Sequence, residues 1–141
     1  MDGLYFREIV ESDFPMISEW WFLSNKIHLD RDAVPNHGFI AVQKDCSLHI
    51  PLAATFLFLS SNSKLAQIAY PVACPSDMFT ARERHEAISG CIKKCTEAAV
   101  SLGYKQIISL ADKNGLGKIY ESSGFLKMKD HSFYALGITD P

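Results

Sequence analysis

The sequence has little excess charge, few cysteines and no long apolar run. Its 141 residues include 14 basic and 16 acidic side chains, for a net charge of -2. It therefore lacks the positive charge with which proteins bind nucleic acid or anionic membranes. No stretch approaches the roughly 20 apolar residues that a membrane helix needs, and the opening MDGLYFREIV has no signal-peptide pattern. We expect a cytoplasmic protein that binds neither nucleic acid nor a membrane.

Four cysteines are too few for a disulfide scaffold. Cys91 and Cys95 lie four residues apart on one predicted helix face, which suits either a core or one half of a zinc site. A zinc site needs a second ligand pair, and His49 and His85 do not have the matching spacing. We expect no metal.

The length and the 48% hydrophobic content suit one ordinary domain with a proper core. The sequence contains no repeats, low-complexity tracts or linker. We therefore expect a single domain, residues 1–141.

The clearest helix pattern lies at 80–102, where apolar residues recur at intervals of three and four and Gly103 ends the run. An earlier helix is expected after Ser12 or Asp13, with Pro15 in its first turn. Residues 25–37 form a loop or a short second helix. The remaining predicted elements are strands at 4–10, 38–44, 52–59, 65–72 and 105–111, a helix at 113–122, and strands near 125–130 and 132–138.

This order predicts an α/β fold of the mixed α+β kind. We expect a sheet of about six or seven strands with helices on both faces. The helix at 80–102 should cover one face and the first helix the other. The strands at 65–72 and 105–111 should be parallel neighbours, because a crossover helix joins them.

The stretch SLGYKQIISLADKNGLGKIYESSGF (101–125) resembles the GNAT superfamily of acyl-CoA-dependent N-acyltransferases. Members of this family end in a helix, a glycine, a buried strand and a short helix that closes with Tyr-x-x-x-Gly-Phe. The order of elements is similar along nearly the whole chain. The resemblance implies an acyltransferase-like fold, with acetyl-CoA or another acyl-CoA as the cofactor.

Such proteins splay two parallel strands apart and lay the pantetheine arm along the exposed backbone of the fourth strand. Here the resemblance assigns that contact to the backbone of Val72 and Ala73. Pro71 removes one backbone donor, which suits a strand that bulges or leaves its neighbour. Alternatively, Pro71 merely closes an edge strand.

The family's phosphate loop is Arg or Gln, two residues, Gly, one residue, then Gly or Ala. In RHEAIS, Arg84, Ala87 and Ser89 fall on these positions, but both glycines are replaced. Because each replacement carries a Cβ, it restricts the turn and the approach of an anion.

The stretch TARE (80–83) is also a Thr-x-x-Glu capping box, which would begin the helix early. In that case the phosphates would lie near Thr80, with Arg82 or Arg84 supplying charge. The resemblance further assigns Asn114, in the turn before the last helix, to cofactor binding.

The resemblance assigns the acid for the departing thiolate to Tyr120, in IYESSGF (119–125). The residues alone also allow a packing role, since Tyr120 shares a half-buried helical face with Ile119 and Leu116. Both roles stay open, because the ring can pack while the hydroxyl reacts. The general base is not identified; the candidates are Glu19, His49, Asp77 and His85.

Trp20 and Trp21 lie on the first helix, where the family builds its acceptor pocket. Adjacent helical positions point about 100° apart, so we expect one indole in the core and the other in the pocket.

Two functional hypotheses follow. In the first, the protein moves an acyl group, expected to be acetyl, from coenzyme A to a primary amine of a small molecule or protein. In the second, the replaced glycines mark a GNAT-like fold that serves as a binding or scaffold module without acyl-CoA turnover, or that uses another acyl donor. A second copy of the chain, in a homodimer, is considered as a further partner.

Overall fold

The computed structural model describes residues 3–110 and 116–128. Its strands are β1 (Leu4–Glu8), β2 (Gly38–Asp45), β3 (Leu48–Leu59), β4 (Leu65–Ala73) and β5 (Gln106–Ser109). Its α-helices are α1 (Phe14–Asn25), α2 (Ala81–Ser101) and α3 (Leu116–Ser122). A short 3-10 turn at Glu11–Asp13 precedes α1, and a second one at Arg31–Ala33 lies in the loop between α1 and β2. In the described part of the chain, no helix is long and apolar enough to cross a membrane.

The five strands form one mixed sheet in the order β1-β2-β3-β4-β5. Neighbours are antiparallel except β4 and β5, which run parallel from the pair Leu65 and Gln106 to the pair Ile68 and Ser109. The predicted mixed α/β fold and its parallel pair are therefore confirmed. The helix α2 makes the crossover that a parallel connection requires.

The sequence predicts two further strands in the tail and a last helix that starts at residue 113. Residues 125–128 form no strand, and the rest of the two predicted strands lies outside the described residues. Residues 113–115 also lie outside the described part, so α3 is described from Leu116 onwards.

The sheet is covered on both faces, as predicted. Ile40, Ala54 and Phe56 pack in a cluster with Ile17 and Trp20 of α1. The alternate positions of the same strands pack against α2; they include Ala41, Ala53 and Leu57, which contact Ala87, Cys91, Ile92 and Cys95. Because side chains alternate across a strand, a strand buried on both faces reads as a continuous apolar run. This explains the run LAATFLFL in β3.

The helix α2 begins with the predicted capping box. The Glu83 N–H donates to the Thr80 hydroxyl oxygen at 3.1 Å, and the Thr80 N–H donates to the Glu83 carboxylate at 2.9 Å. Further along α2, Cys91 and Cys95 are fully buried, and burial raises the pKa of the Cys95 thiol to about 12. No group of residues suited to a metal ion occurs within 3–110 and 116–128.

Gly90 allows α2 to lie close to the sheet. A Cβ at this position would stand 2.1 Å from the Phe6 ring of β1. Alanine in place of glycine inside a helix ordinarily adds about 1 kcal/mol of stability. We expect the opposite sign here: Gly90→Ala should lower the free energy of unfolding by about 1–3 kcal/mol, because the ring or the helix must move. Urea unfolding of the two proteins measures it, and a more stable variant would contradict this packing.

Candidate active site

The two parallel strands diverge halfway along β4. The strand β5 pairs with Leu65–Ile68 of β4 and then ends at Ser109. The strand β4 continues to Ala73, paired with β3 on its other side. Over Ala69–Ala73, β4 therefore has one edge with no strand beside it in the described part of the chain.

A β-bulge lies on β4 just past the point of divergence. The register passes from Ala54 opposite Val72 to Phe56 opposite Ala69, so Tyr70 and Pro71 together face the single residue Thr55. Tyr70 has a φ of 55°, in the left-handed region that a tyrosine rarely adopts.

Thr55, on β3 opposite the bulge, stabilises it with a hydrogen bond. It is fully buried, and its hydroxyl donates to the Ala69 carbonyl at 3.1 Å. Pro71 occupies the bulge, where a missing N–H is tolerated. The prediction that the proline marks a bulging strand is confirmed.

Past the bulge, the backbone N–H and C=O groups of β4 point alternately towards β3 and towards the open side. The Cys74 N–H donates to the Leu52 carbonyl of β3 at 2.8 Å. Because successive residues of a strand direct their N–H and C=O groups to opposite sides, those of Ala73 point away from β3. Those of Val72 point towards β3, and its buried side chain packs on the α1 face. Of the two residues assigned to the pantetheine arm, Ala73 is thus the one whose backbone faces the open edge.

The end of α3 is a Schellman motif. The Phe125 N–H donates to the Tyr120 carbonyl at 3.0 Å, and the Gly124 N–H donates to the Glu121 carbonyl at 3.1 Å. Gly124 has the positive φ of 95° that this motif requires. The rings of Tyr120 and Phe125 meet edge to face at 5.1 Å, which is the apolar contact typical of the motif. The motif explains why Tyr120 stands four residues before a Gly-Phe pair, and it fixes the ring.

The Tyr120 hydroxyl is buried near the divergence of β4 and β5. The residue is 4% exposed, and its oxygen makes no well-formed hydrogen bond within the described part of the chain. The neighbouring Ser109 hydroxyl donates to the Ile68 carbonyl at 2.6 Å and so joins the last β4–β5 pair. Burial raises the pKa of Tyr120, and the interaction with Ser109 opposes this shift only in part. The phenol therefore stays protonated at neutral pH.

The candidate phosphate residues on α2 are engaged with the chain itself. The Arg84 guanidinium donates to the carbonyls of Ser76 and Phe79, at 3.1 and 2.6 Å. Exposed Arg82 forms an ion pair with Glu86 one turn further along, at 3.3 Å.

Ala87 and Ser89 do not lie at the start of α2. They follow its first residue, Ala81, by six and eight positions, so their N–H groups point along the helix to carbonyls one turn back. Ala87 is also fully buried against the sheet. The early start of α2 corrects the expected match of RHEAIS to a phosphate loop. The backbone N–H groups of Ala87 and Ser89 do not lie at the N terminus of a helix.

The two tryptophans of α1 lie in different surroundings. Trp20 is 6% exposed and belongs to the core between α1 and the sheet. Half-buried Trp21 packs edge to face on Tyr70, with ring centroids 5.2 Å apart. Trp21 thus lies beside the bulge and Trp20 does not.

The four candidate bases are exposed and lie on separate elements: Glu19 on α1, His49 on β3, Asp77 in the loop after β4, and His85 on α2. His49 is hydrogen-bonded to the Tyr5 hydroxyl at 2.8 Å, on the β1 side of the sheet. The structure does not bring these four together. Asn114 lies outside the described residues.

Three residues of this site, Thr55, Tyr70 and Ser109, are absent from the sequence-based candidates. Thr55 and Ser109 are single hydroxyl residues within or at the end of apolar strands, and that isolation is a usable signal. Tyr70 is marked only weakly in the sequence, by its position before Pro71. A residue before a proline avoids the right-handed helical region, but this does not predict a left-handed backbone.

No family profile matches the chain, and no protein of curated function matches its sequence. Solved structures do match its fold. An aminoglycoside acetyltransferase from an uncultured soil metagenomic sample, solved in complex with trehalose, has a TM-score of 0.63 at 16% identity, covering 96% of this chain and 98% of that one. An acetyltransferase of Trypanosoma brucei has a TM-score of 0.62 at 16% identity, covering 94% and 99%. A transcriptional regulator from Bacillus halodurans C-125 has a TM-score of 0.65 at 16% identity, covering 96% and 99%.

These likenesses span nearly the full length of both chains. The chain therefore has the fold of the GNAT superfamily of acetyltransferases.

Proposed function

We propose that the protein is an N-acyltransferase that moves an acyl group, taken to be acetyl, from a coenzyme A thioester to a primary amine. The acceptor is an amine of a small molecule or of a protein. The observation that carries the proposal is the buried Tyr120 hydroxyl, which lies where β4 and β5 diverge and lacks a well-formed hydrogen bond to any residue within 3–110 and 116–128. A buried polar group without a partner costs about 1–3 kcal/mol of stability, so its presence favours a functional role.

The open edge of β4 suits the pantetheine arm of such a donor. Pantetheine carries two amide groups, and the Ala73 N–H and C=O face the side on which it would lie. The bulge at Tyr70 and Pro71 interrupts the β3–β4 ladder just past the last β4–β5 pair. The thioester supplies the activated acyl carbon at that point, and the chain supplies the groups that orient it.

Tyr120 suits the role of general acid. Its raised pKa keeps the phenol protonated at neutral pH, so it can donate a proton to a departing thiolate. The Schellman motif and the contact with Phe125 hold the ring in place. Ser109 stands next to the phenol and bridges the two strands, which makes it a positioning residue in this proposal.

Trp21 is proposed to line the acceptor site. It packs on Tyr70 beside the bulge, and Tyr70 in turn contacts Phe58, with ring centroids 6.1 Å apart. This aromatic wall lies on the α1 face of the sheet. Aromatic faces attract cationic ligands, which agrees with an amine acceptor.

A turnover assay tests the proposal. Purified protein is incubated with acetyl-CoA and single primary amines, including an aminoglycoside, a polyamine and a lysine peptide, and free thiol is followed over time. We expect amine-dependent thiol release that falls when Tyr120 is replaced by phenylalanine. No amine-dependent release across the panel, together with no binding of any pantetheine thioester, would favour the scaffold alternative.

The paired tryptophans give a separate prediction. Trp21→Ala should raise the KM for the acceptor about tenfold and leave donor affinity unchanged, because it removes one wall of the acceptor site. Trp20→Ala should instead lower the free energy of unfolding by about 3–5 kcal/mol, as for other buried aromatic residues. Steady-state kinetics and urea unfolding of both variants measure these effects. An unchanged acceptor KM in Trp21→Ala would remove Trp21 from the acceptor site.

A further inference from the structure

We infer that the donor is held through its pantetheine arm and not through the pyrophosphate of coenzyme A. This inference rests on the proposed function and narrows it to donors of the acyl-pantetheine class, with or without a nucleotide. The observations that support it concern the N terminus of α2, which comes after the open edge of β4 along the chain.

A carboxylate of the protein lies at the N-terminal cap of α2. The capping box places the Glu83 side chain on the Thr80 N–H and the Thr80 hydroxyl on the Glu83 N–H. The Arg84 N–H is bonded to the Thr80 carbonyl at 3.0 Å. A helix N terminus attracts an anion through its free N–H groups and its dipole. Here the Glu83 carboxylate is bonded to the Thr80 N–H at the helix cap and places a negative charge of the protein at this end of the dipole.

The two nearby guanidinium groups are also engaged. Arg84 donates to the carbonyls of Ser76 and Phe79, which fastens the loop between β4 and α2. Turning Arg84 towards a phosphate would break both bonds. Arg82 is exposed and pairs with Glu86 on the same face of the helix. The Arg84 guanidinium is thus held on the loop through its Nη1, and Arg82 is held on Glu86.

The local charge opposes a pyrophosphate as well. Residues 77–86 contain three carboxylates and two guanidinium groups. The side chains of this segment lie mostly at the surface, where Thr80, Ala81 and Arg82 are exposed. Like charges destabilise each other even at the surface, and salt screens them. Pantetheine itself is uncharged, so this surface does not repel the arm.

The test compares two donors by calorimetry. Dissociation constants of acetyl-CoA and of S-acetyl-pantetheine, which lacks phosphate and nucleotide, are measured at low and at high salt. We expect acetyl-CoA to bind no more tightly than S-acetyl-pantetheine and to bind slightly more tightly at high salt, because salt screens the repulsion between its phosphates and the carboxylates near the start of α2. A preference for acetyl-CoA of 100-fold or more that weakens with salt would overturn the inference and leave the proposed function standing. Failure of both donors to bind would overturn the proposed function and this inference together.

A variant tests the role of the carboxylate. Glu83→Gln keeps the capping geometry, since glutamine also serves at this position of a capping box. It should tighten acetyl-CoA binding by about two- to fivefold, the effect of one charge near a helix N terminus, and leave S-acetyl-pantetheine unchanged. Glu97→Gln, which removes a carboxylate far along α2 beside Lys94, is the matched control and should change neither constant. Equal tightening for both donors would contradict the electrostatic argument.

Discussion

Replacing Tyr120 with phenylalanine is expected to slow acyl transfer by roughly 10²- to 10⁴-fold, the range of general acid catalysis. The substitution keeps the ring, its contact with Phe125 and its burial, and it removes only the hydroxyl. Donor affinity should therefore stay the same. Single-turnover kinetics with saturating acetyl-CoA and an accepted amine measure the transfer rate directly.

The same variant should be more stable than the parent protein. The Tyr120 hydroxyl is buried without a well-formed hydrogen bond among the described residues, so its removal should raise the free energy of unfolding by about 1 kcal/mol. Tyr104 is the matched control, because its hydroxyl donates to the Ser60 carbonyl at 2.6 Å. Tyr104→Phe should lose about 1 kcal/mol of stability and keep full activity.

Opposite signs in stability and rate distinguish a catalytic hydroxyl from a structural one. If Tyr120→Phe turned over at the parent rate, the residue would be the packing partner of Phe125 and nothing more. If it lost stability as Tyr104→Phe does, its hydroxyl would have a partner that contributes to folding.

Replacing Ala73 with proline is expected to lower donor affinity at least tenfold while leaving the fold intact. The Ala73 N–H points to the open side of β4, so proline removes a donor for the pantetheine arm without breaking a bond to β3. The proline ring would also occupy the space into which that N–H points. Proline favours extended backbone in the residue before it, which Val72 already has as part of β4. Calorimetry with S-acetyl-pantetheine measures the affinity.

Val72→Pro is the control for the open edge. Its N–H faces β3, and its side chain lies in the core with Ile17 and Ala54. This variant should therefore lose about 2 kcal/mol of stability or more. If Ala73→Pro bound the donor normally, or if it unfolded as readily as Val72→Pro, the assignment of the open edge would be wrong.

Most of the fold could be predicted from the sequence, because local patterns were consistent with one another. The spacing of apolar residues located α2, and the Thr-x-x-Glu box located its first residue. The continuous apolar run of β3 indicated a strand covered on both faces. The strand is longer than predicted, since Leu48, His49 and Ile50 pair with β2 although Pro51 follows them. Proline is disfavoured inside a central strand, but here Pro51 pairs with Val42 of β2 and the strand runs through it.

The candidate site could be predicted only in part. Tyr120 and Ala73 were named as candidates because a motif or a neighbouring proline marked them. Thr55, Tyr70 and Ser109 were not, because their roles depend on which residues of two distant strands face each other. The alignment of Ala87 and Ser89 with a phosphate loop failed for a similar reason. Residue type suggested a loop, whereas the Thr80–Glu83 cap began the helix six residues earlier than Ala87.

The central claim is that the open edge of β4 binds a pantetheine thioester, and denaturant unfolding with S-acetyl-pantetheine tests it most directly. A ligand that binds only the folded state adds about 2.7 kcal/mol to the free energy of unfolding at 100 times its dissociation constant. We expect S-acetyl-pantetheine to raise the stability of the parent protein in this concentration-dependent way and to have little effect on Ala73→Pro. An unfolding free energy that stays constant up to millimolar thioester would contradict the claim.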